Sequence, residues 1–362
     1  MRPLSIMVLG LSLSSSWGNG HATTYRALLR GLAGEGHRVH FLERDMPWYE
    51  AHRDLPAPAF CRLSYYRTLS DLERFSGEIR GADAIIIGSY VPEGTEVISR
   101  VAAMKPQLLV FYDIDTPVTL AALAAGEESF LARRQVPLFD LYLSFSGGKV
   151  LDRLEEEFGA RRAAAFYCSV DPKAYQPTGE PPRWDLGYLG TYSLDRQPKL
   201  ERLLIEPARR LPQKRFVVAG AQYPDGIDWP DNVERIPHLP PEAHASFYSR
   251  QRFTLNVTRA DMVAAGWSPS VRLFEAAACA TPIVSDRWEG LDEIFTDGQS
   301  ILLADGTEDM VEALTKIPDT VRLSVGQAAR ACVIERHTGR ARARQLVHLL
   351  NGVAVEGLAE AG

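Results

Sequence analysis

Short apolar runs alternate with stretches of helical period along almost all of this 362-residue chain. Leu4 to Leu13, Arg38 to Glu43, Asp83 to Ile87, Leu108 to Tyr112 and Leu141 to Phe145 read as strands. Most are apolar throughout rather than alternating, which suits parallel strands covered on both faces. Ala22 to Ala33 and Lys149 to Phe158 between them read as helices, with Gly34, Gly36, Gly147 and Gly148 as punctuation. The second half repeats the scheme. Strands are expected at Leu186 to Leu189, Arg215 to Ala219, Val233 to Ile236, Phe253 to Val257 and Ile283 to Ser285, and helices at Lys199 to Arg210, Thr307 to Leu314 and roughly Val321 to Leu350. QPTGEPP, Gln176 to Pro182, favours irregular extended chain and is read as the linker. So long a chain outgrows a single core, and two α/β domains are expected.

Composition narrows the function. Apolar residues make up 46%, charged residues 24%, and the formal net charge is -6. No basic surplus points to nucleic acid or an anionic membrane. Cys61, Cys168, Cys279 and Cys332 lie far apart, with neither zinc spacing nor disulfide density, as expected of a cytoplasmic protein. Arg2 followed by LSIMVLGLSL looks like the start of a secretory signal, but SSSWGNG offers no small-x-small cleavage site and a helical pattern follows at once. A buried first strand is expected, and no run reaches the roughly 20 apolar residues of a membrane span. The turn after that strand is not GxGxxG, which argues against a nicotinamide dinucleotide.

Chemistry concentrates at Trp267 to Asp286, WSPSVRLFEAAACATPIVSD. Ser268-Pro269-Ser270 leads into a short helix, Val271 to Cys279, which ends at Thr281-Pro282 before a strand. A helix start feeding a buried strand is an anion site, and Glu275, one turn in, suits a ribose diol. The same residues also fit an amphipathic helix with an exposed Glu. Arg196, in a strand-to-helix loop, suits a diphosphate or is a solvated surface arginine. Asn256, Thr258 and Arg259 end a strand just upstream. Asp113, Asp115 and Thr116 follow a strand, and Pro117 opens a helix with Asp115 or Thr116 as its cap; capping is preferred to metal binding. The aromatic MPWY and the segment to Pro58 read as a long specificity loop.

The stretch from Trp267 to Asp286 resembles the nucleotide-sugar signature of GT-B glycosyltransferases, most closely the CgeB-like (spore-maturation-type) branch. Glu275 matches the second of two Glu seven residues apart in that family, whereas Trp267 occupies the place of the first, and Ala280 stands where glycine is usual. The resemblance implies an α/β GT-B fold of two Rossmann-like domains facing a central cleft. Residues 1–177 would form the acceptor-side domain and 178–337 the nucleotide-sugar domain, with 338–362 a helix returning to the first. It implies sugar transfer from a nucleotide-diphosphate donor, UDP-sugar favoured, to a hydroxyl acceptor, without metal or other cofactor. A GT-B-fold nucleotide-sugar epimerase and a non-catalytic nucleotide-sugar-binding module are the alternatives. Donor contacts are expected from Glu275, Ser268, Ser270, Val271, Arg272, Arg196, Asn256 and Arg259, with His238 and Leu239 in PHLPPEAHASFY reading the base. Gly18, Gly20, Trp48, Tyr90, Asp115, Trp267, Glu289 and Gly290 are expected to line the donor-sugar and acceptor side. His21, which opens the first helix, and Asp113 are expected to be catalytic.

Overall fold

Among residues 2–17 and 20–360, which the computed structural model describes, seven strands pair into one wholly parallel sheet. They are β1 (Ser5–Gly10), β2 (Arg38–Arg44), β3 (Arg62–Tyr66), β4 (Ala84–Gly88), β5 (Leu109–Asp113), β6 (Leu141–Ser144) and β7 (Ala163–Ala165), in the spatial order β3-β2-β1-β4-β5-β6-β7. The run Leu4 to Leu13 does form a strand, and β1 pairs with β2 on one side and β4 on the other. Its Ile6 and Val8 pack with Ile86, Val110 and Leu143 of the neighbouring strands. Connections are α1 (His21–Gly34), the short α2 (Pro47–Glu50) and α3 (Ser76–Gly81), then α4 (Gly94–Ala103), α5 (Thr116–Ala124) and α6 (Lys149–Glu156). Two strands of this sheet have no counterpart in the sequence reading: the polar RLSYY of β3 and the alanine run of β7 are edge strands that the apolar pattern does not reveal.

A second parallel sheet holds β8 (Trp184–Leu189), β9 (Phe216–Ala219), β10 (Val233–Ile236), β11 (Gln251–Asn256), β12 (Ile283–Ser285) and β13 (Leu302–Leu303), in the order β10-β9-β8-β11-β12-β13. Its core gathers Leu186, Val218, Phe253, Leu255 and Val284 with Leu203, Leu204 and Ile205. The expected helix after β8 is α7 (Gln197–Leu200) and α8 (Glu206–Arg210), joined by a π turn at Glu201–Ile205 ahead of Pro207, which has no N–H for the ladder. Then come α9 (His244–Ser249), α10 (Ala260–Ala265), α11 (Val271–Ala278), α12 (Thr307–Lys316), α13 (Asp319–Arg336) and α14 (Gly339–Glu360). The single C-terminal helix read from sequence is broken at His337-Thr338.

The chain divides into Met1–Ser169 with Thr338–Gly362, and Val170–His337. The crossing at Ser169-Val170 precedes the linker from which the boundary at 177 was read. Ala343, Leu346, Val347 and Leu350 of α14 join the core around β1 and α1. Gly31 and Gly339 let α1 and α14 approach backbone to backbone, since a Cβ on Gly31 would collide with the Gly339 carbonyl and one on Gly339 with that of Ala27. The basic run after His337 is paired rather than free: Arg340 and Arg344 both bind Glu35, and Arg342 is buried and donates to the Tyr167 carbonyl.

Candidate functional site

In open parallel sheets, ligands sit beyond the carboxyl ends of the strands where strand order reverses. That point lies between β1 and β4 in the first unit and between β8 and β11 in the second.

In the second unit, α11 is fastened across the switch point. Arg272 donates from Nε to the Leu189 carbonyl that ends β8 and from Nη1 to Asn256 Oδ1 at the end of β11 (3.0 Å), with its guanidinium 4.9 Å from the Tyr188 ring. Ser270 holds the N-cap position, yet its hydroxyl donates to Asn256 Oδ1 (2.9 Å), so no side chain caps the first-turn amides. Asn256 Nδ2 donates in turn to Ser285 Oγ (2.9 Å) and Thr258 Oγ1 (3.2 Å). This corrects two expectations. Asn256 is 1% exposed with its amide fully used by protein partners, so it orients Ser270 and Arg272 instead of meeting a ligand. Ser268 is buried as well, its hydroxyl donating to the Gly266 carbonyl.

Three arginines converge on this helix start. Arg196, on the loop after β8, donates to the Thr191 carbonyl (2.7 Å), while its Nε is buried without a partner. Burial lowers its pKa; Tyr188 opposes that shift, and the positive charges of Arg272 and Arg259 reinforce it. Ala260 N–H donates to Asp195 (2.8 Å) and ties the loops after β8 and β11 together. The nearby Asp286 does not neutralise the arginines. It is occupied by Lys199 at 2.5 Å and by the Thr258 hydroxyl and amide. Lys199 escaped the sequence reading because a lysine one turn into an amphipathic helix looks like an ordinary solvated residue. Clustered cations around uncapped helix amides make an anion site.

One turn further, the Glu275 carboxylate accepts from Tyr248 Oη (3.1 Å) and lies 3.8 Å from His244 Nδ1, whose ring also contacts Tyr175 Oη at 3.3 Å. Burial, and then the Glu275 charge, push the Tyr175 and Tyr248 phenols far up, so both remain protonated donors. Glu275 is therefore a half-buried, pre-oriented acceptor. His238 is exposed and Leu239 half-buried; the Leu239 carbonyl faces His244 Nε2 at 3.4 Å. Trp267 has a positive φ of 42°, donates from its indole to Glu293 (2.7 Å) and from its amide to the Glu289 carbonyl (2.6 Å), and lies over Gly290, where a Cβ would strike the ring. Sequence reasoning missed Tyr175, His244 and Tyr248: the last two lie in a helical pattern whose aromatics read as core, and Tyr175 lies in irregular chain before the linker.

In the first unit, the turn after β1 is pinned by Glu43, which is fully buried and accepts from Ser12 Oγ, Ser14 Oγ and the amides of Leu13 and Ser14. An acid at the end of the second strand is what a dinucleotide fold uses for ribose. Here that carboxylate is consumed by the protein. His21 is buried, its Nδ1 without a partner, its Nε2 3.9 Å from Asp115 and its ring edge-on to Tyr90 at 5.3 Å. Asp115 is half-exposed at 51%, and Tyr90 takes a left-handed φ of 61° at the end of β4. Gly20 and Trp48 are exposed, and Gly18 lies outside the described residues.

Asp113 contradicts its expected catalytic role. It is 0% exposed, accepts from Tyr142 Oη (2.6 Å) and Thr119 Oγ1 (2.8 Å), and burial raises its pKa to about 6. It holds the turn into α5 and has no access to a substrate. The turn that follows β5 separates the two Asp, so Asp115 alone reaches the surface beside His21.

A family model described as glycosyl transferase-like matches residues 196–348. The D-inositol 3-phosphate glycosyltransferase of Mycolicibacterium smegmatis is 29% identical over 146 residues, which are 36% of this chain and 32% of that protein. The same-named protein of Mycobacterium leprae (strain Br4923) is 32% identical over 146 residues, 37% of this chain and 32% of its own. The chain thus spans about a third of the length of the curated relatives it matches. Among solved structures, sucrose-phosphate synthase from Thermosynechococcus elongatus superposes with a TM-score of 0.67 at 15% identity, covering 100% of both chains. Anabaena HepE in complex with UDP-glucose gives 0.64 at 14%, covering 96% of this chain and 100% of that one. An alpha-glucosyltransferase in complex with UDP-glucose and DNA gives 0.68 at 12%, covering 97% and 100%. The chain therefore carries the GT-B glycosyltransferase fold throughout, with a glycosyl transferase-like segment over residues 196–348.

Proposed function

We propose that the protein is a glycosyltransferase of the CgeB-like branch that moves a sugar from a UDP-sugar to a hydroxyl acceptor without a divalent metal. The observation that carries this reading is the cluster of Arg196, Arg259 and Arg272 around the uncapped start of α11, with Glu275 one turn on. The arginines and helix amides take the diphosphate, Glu275 the ribose diol, and the turn at His238 and Leu239 the base, with Trp267, Glu289 and Gly290 on the sugar side. The acceptor oxygen bonds to the anomeric carbon as the bond to the diphosphate breaks, and the negative charge that grows on the leaving group falls where the arginines are. That arrangement does the work a metal does elsewhere. His21, with Asp115 beside it, takes the acceptor proton. UDP is favoured because structural neighbours were solved with UDP-glucose. Four free cysteines, and the absence among the described residues of a helix long and apolar enough to cross a membrane, support a cytoplasmic setting.

Calorimetric titration of UDP, GDP, ADP and TDP in EDTA tests the reading. UDP should bind best, and chelation should leave its affinity unchanged. Glu275→Ala should weaken UDP roughly tenfold to a hundredfold, the worth of hydrogen bonds to a charged acceptor. His21→Ala should leave UDP affinity within a few-fold but lower turnover about 10²-fold. Equal binding of all four nucleotides, or of UDP by wild type and Glu275→Ala, would sink the donor site.

A further inference from the structure

Resting on that reading, we propose that the acceptor is an uncharged carbohydrate, received on an aromatic shelf that follows the first unit's strands, and not a phosphorylated sugar or polyol. The curated relatives have a phosphorylated polyol in their name, and an arginine or lysine that recognises a phosphate must not already be neutralised by a carboxylate. Four arginines in and beside the segments that follow β1, β2 and β3 are paired with carboxylates. Arg26 makes two 2.8 Å bonds to Asp54, Arg44 meets Glu93 at 2.8 Å, and Arg53 and Arg67 share Asp45 at 2.6 and 2.9 Å. Asp54 additionally accepts from the Ser16 amide and hydroxyl, which builds its pair into the turn after β1. Lys149 opens α6 beyond β6, three strands from β1 and so roughly 14 Å away at the usual ~4.8 Å spacing. Asp115, half-exposed beside His21, adds negative charge to this edge.

The same segments expose indole. Trp17 is 55% exposed and Trp48 52%. Trp17 is stacked on His52 at 4.5 Å, and His52 is anchored in turn by its carbonyl to Ser15 Oγ and by its amide to the Tyr49 carbonyl. Large aromatics left in water on an otherwise well-packed unit mark a binding surface. A planar ring suits a pyranose, whose C–H face packs on the indole while its hydroxyls meet the polar groups alongside. A dianion brought here would meet carboxylates and guanidinium groups already held in ion pairs.

The test uses the full chain with UDP bound. Matched probes, myo-inositol against inositol 3-phosphate, glucose against glucose 6-phosphate, and maltotriose, are titrated by tryptophan fluorescence and ligand-observed saturation-transfer NMR. A neutral member should bind at least tenfold tighter than its phosphorylated partner. Trp17→Ala and Trp48→Ala should each weaken it about tenfold, as loss of an aromatic anchor does, while UDP affinity stays within twofold. Equal or tighter binding of the phosphorylated member, no neutral sugar bound at millimolar concentration, or unchanged affinity in both tryptophan variants would overturn the inference. UDP titration keeps the two claims apart. Failure to bind UDP brings down the donor reading and this inference with it, whereas normal UDP binding with a phosphate-preferring acceptor site brings down the inference alone.

Discussion

Asp113 carries a charge the fold does not favour. Its side chain is wholly buried and its pKa rises from 3.8 to about 6, burial outweighing the bonds from Tyr142 and Thr119. A raised folded-state pKa contributes stability that is complete below the unfolded value and lost as pH rises through the folded one. The window is therefore about pH 4 to 6. Asp113→Asn cannot ionise, so between pH 4 and 7.5 the balance should move toward the variant by on the order of 3 kcal/mol. Denaturant melts at the two pH values measure this, and a constant gap between the proteins would refute it. Sequence could not separate Asp113 from Asp115, because spacing of two puts both on one face only while the chain stays extended. The turn that begins at Ile114 buries one and exposes the other. Glu275 was legible through its place one turn into a Ser-Pro-Ser helix start. Its tyrosine partners come from elements distant in sequence, and no local pattern announces them.

The end of α11 shows a helix terminating without the residue that usually allows it. Ala280 adopts φ 56°, with Ala280 N–H bonded to the Ala277 carbonyl (2.9 Å) and Thr281 N–H to that of Ala276 (3.0 Å). This is the Schellman pattern with alanine at C′. Alanine makes the left-handed turn where glycine is usual, and the strain is held in place by Thr281, whose hydroxyl donates to the Tyr248 carbonyl (2.8 Å), and by Pro282. Ala280→Gly should therefore stabilise the chain by up to about 1 kcal/mol, or roughly 2 °C in Tm for a unit this size. Calorimetric melting measures it, and a lowered Tm would show that the Ala280 methyl packs favourably. Elements whose residues are apolar on both faces were legible, since nothing else buries five consecutive aliphatics. β3 was not, because an edge strand needs only one covered side, and the π turn in the helix after β8 leaves no trace in periodicity.

At the scale of the whole molecule, the chain crosses between its units twice, at Ser169-Val170 and at His337-Thr338. The last helix completes the first unit's core with Ala343, Leu346, Val347 and Leu350. Burial of such side chains is worth about 1.5–3 kcal/mol apiece for the larger ones, so their sum rivals the whole stability of a domain. Ending the chain after His337 should consequently lower the Tm of the first unit or render it insoluble, while Val170–His337 keeps its UDP affinity. A truncated protein melting as the full chain does would contradict this. The close pass of Gly31 and Gly339 also has a meaning in time. A ribosome releases α1 some three hundred residues before the glycine that must lie against it, so the second unit can fold while the first still waits with one flank of its sheet uncovered. Of the two units, the one whose synthesis starts earlier is completed later.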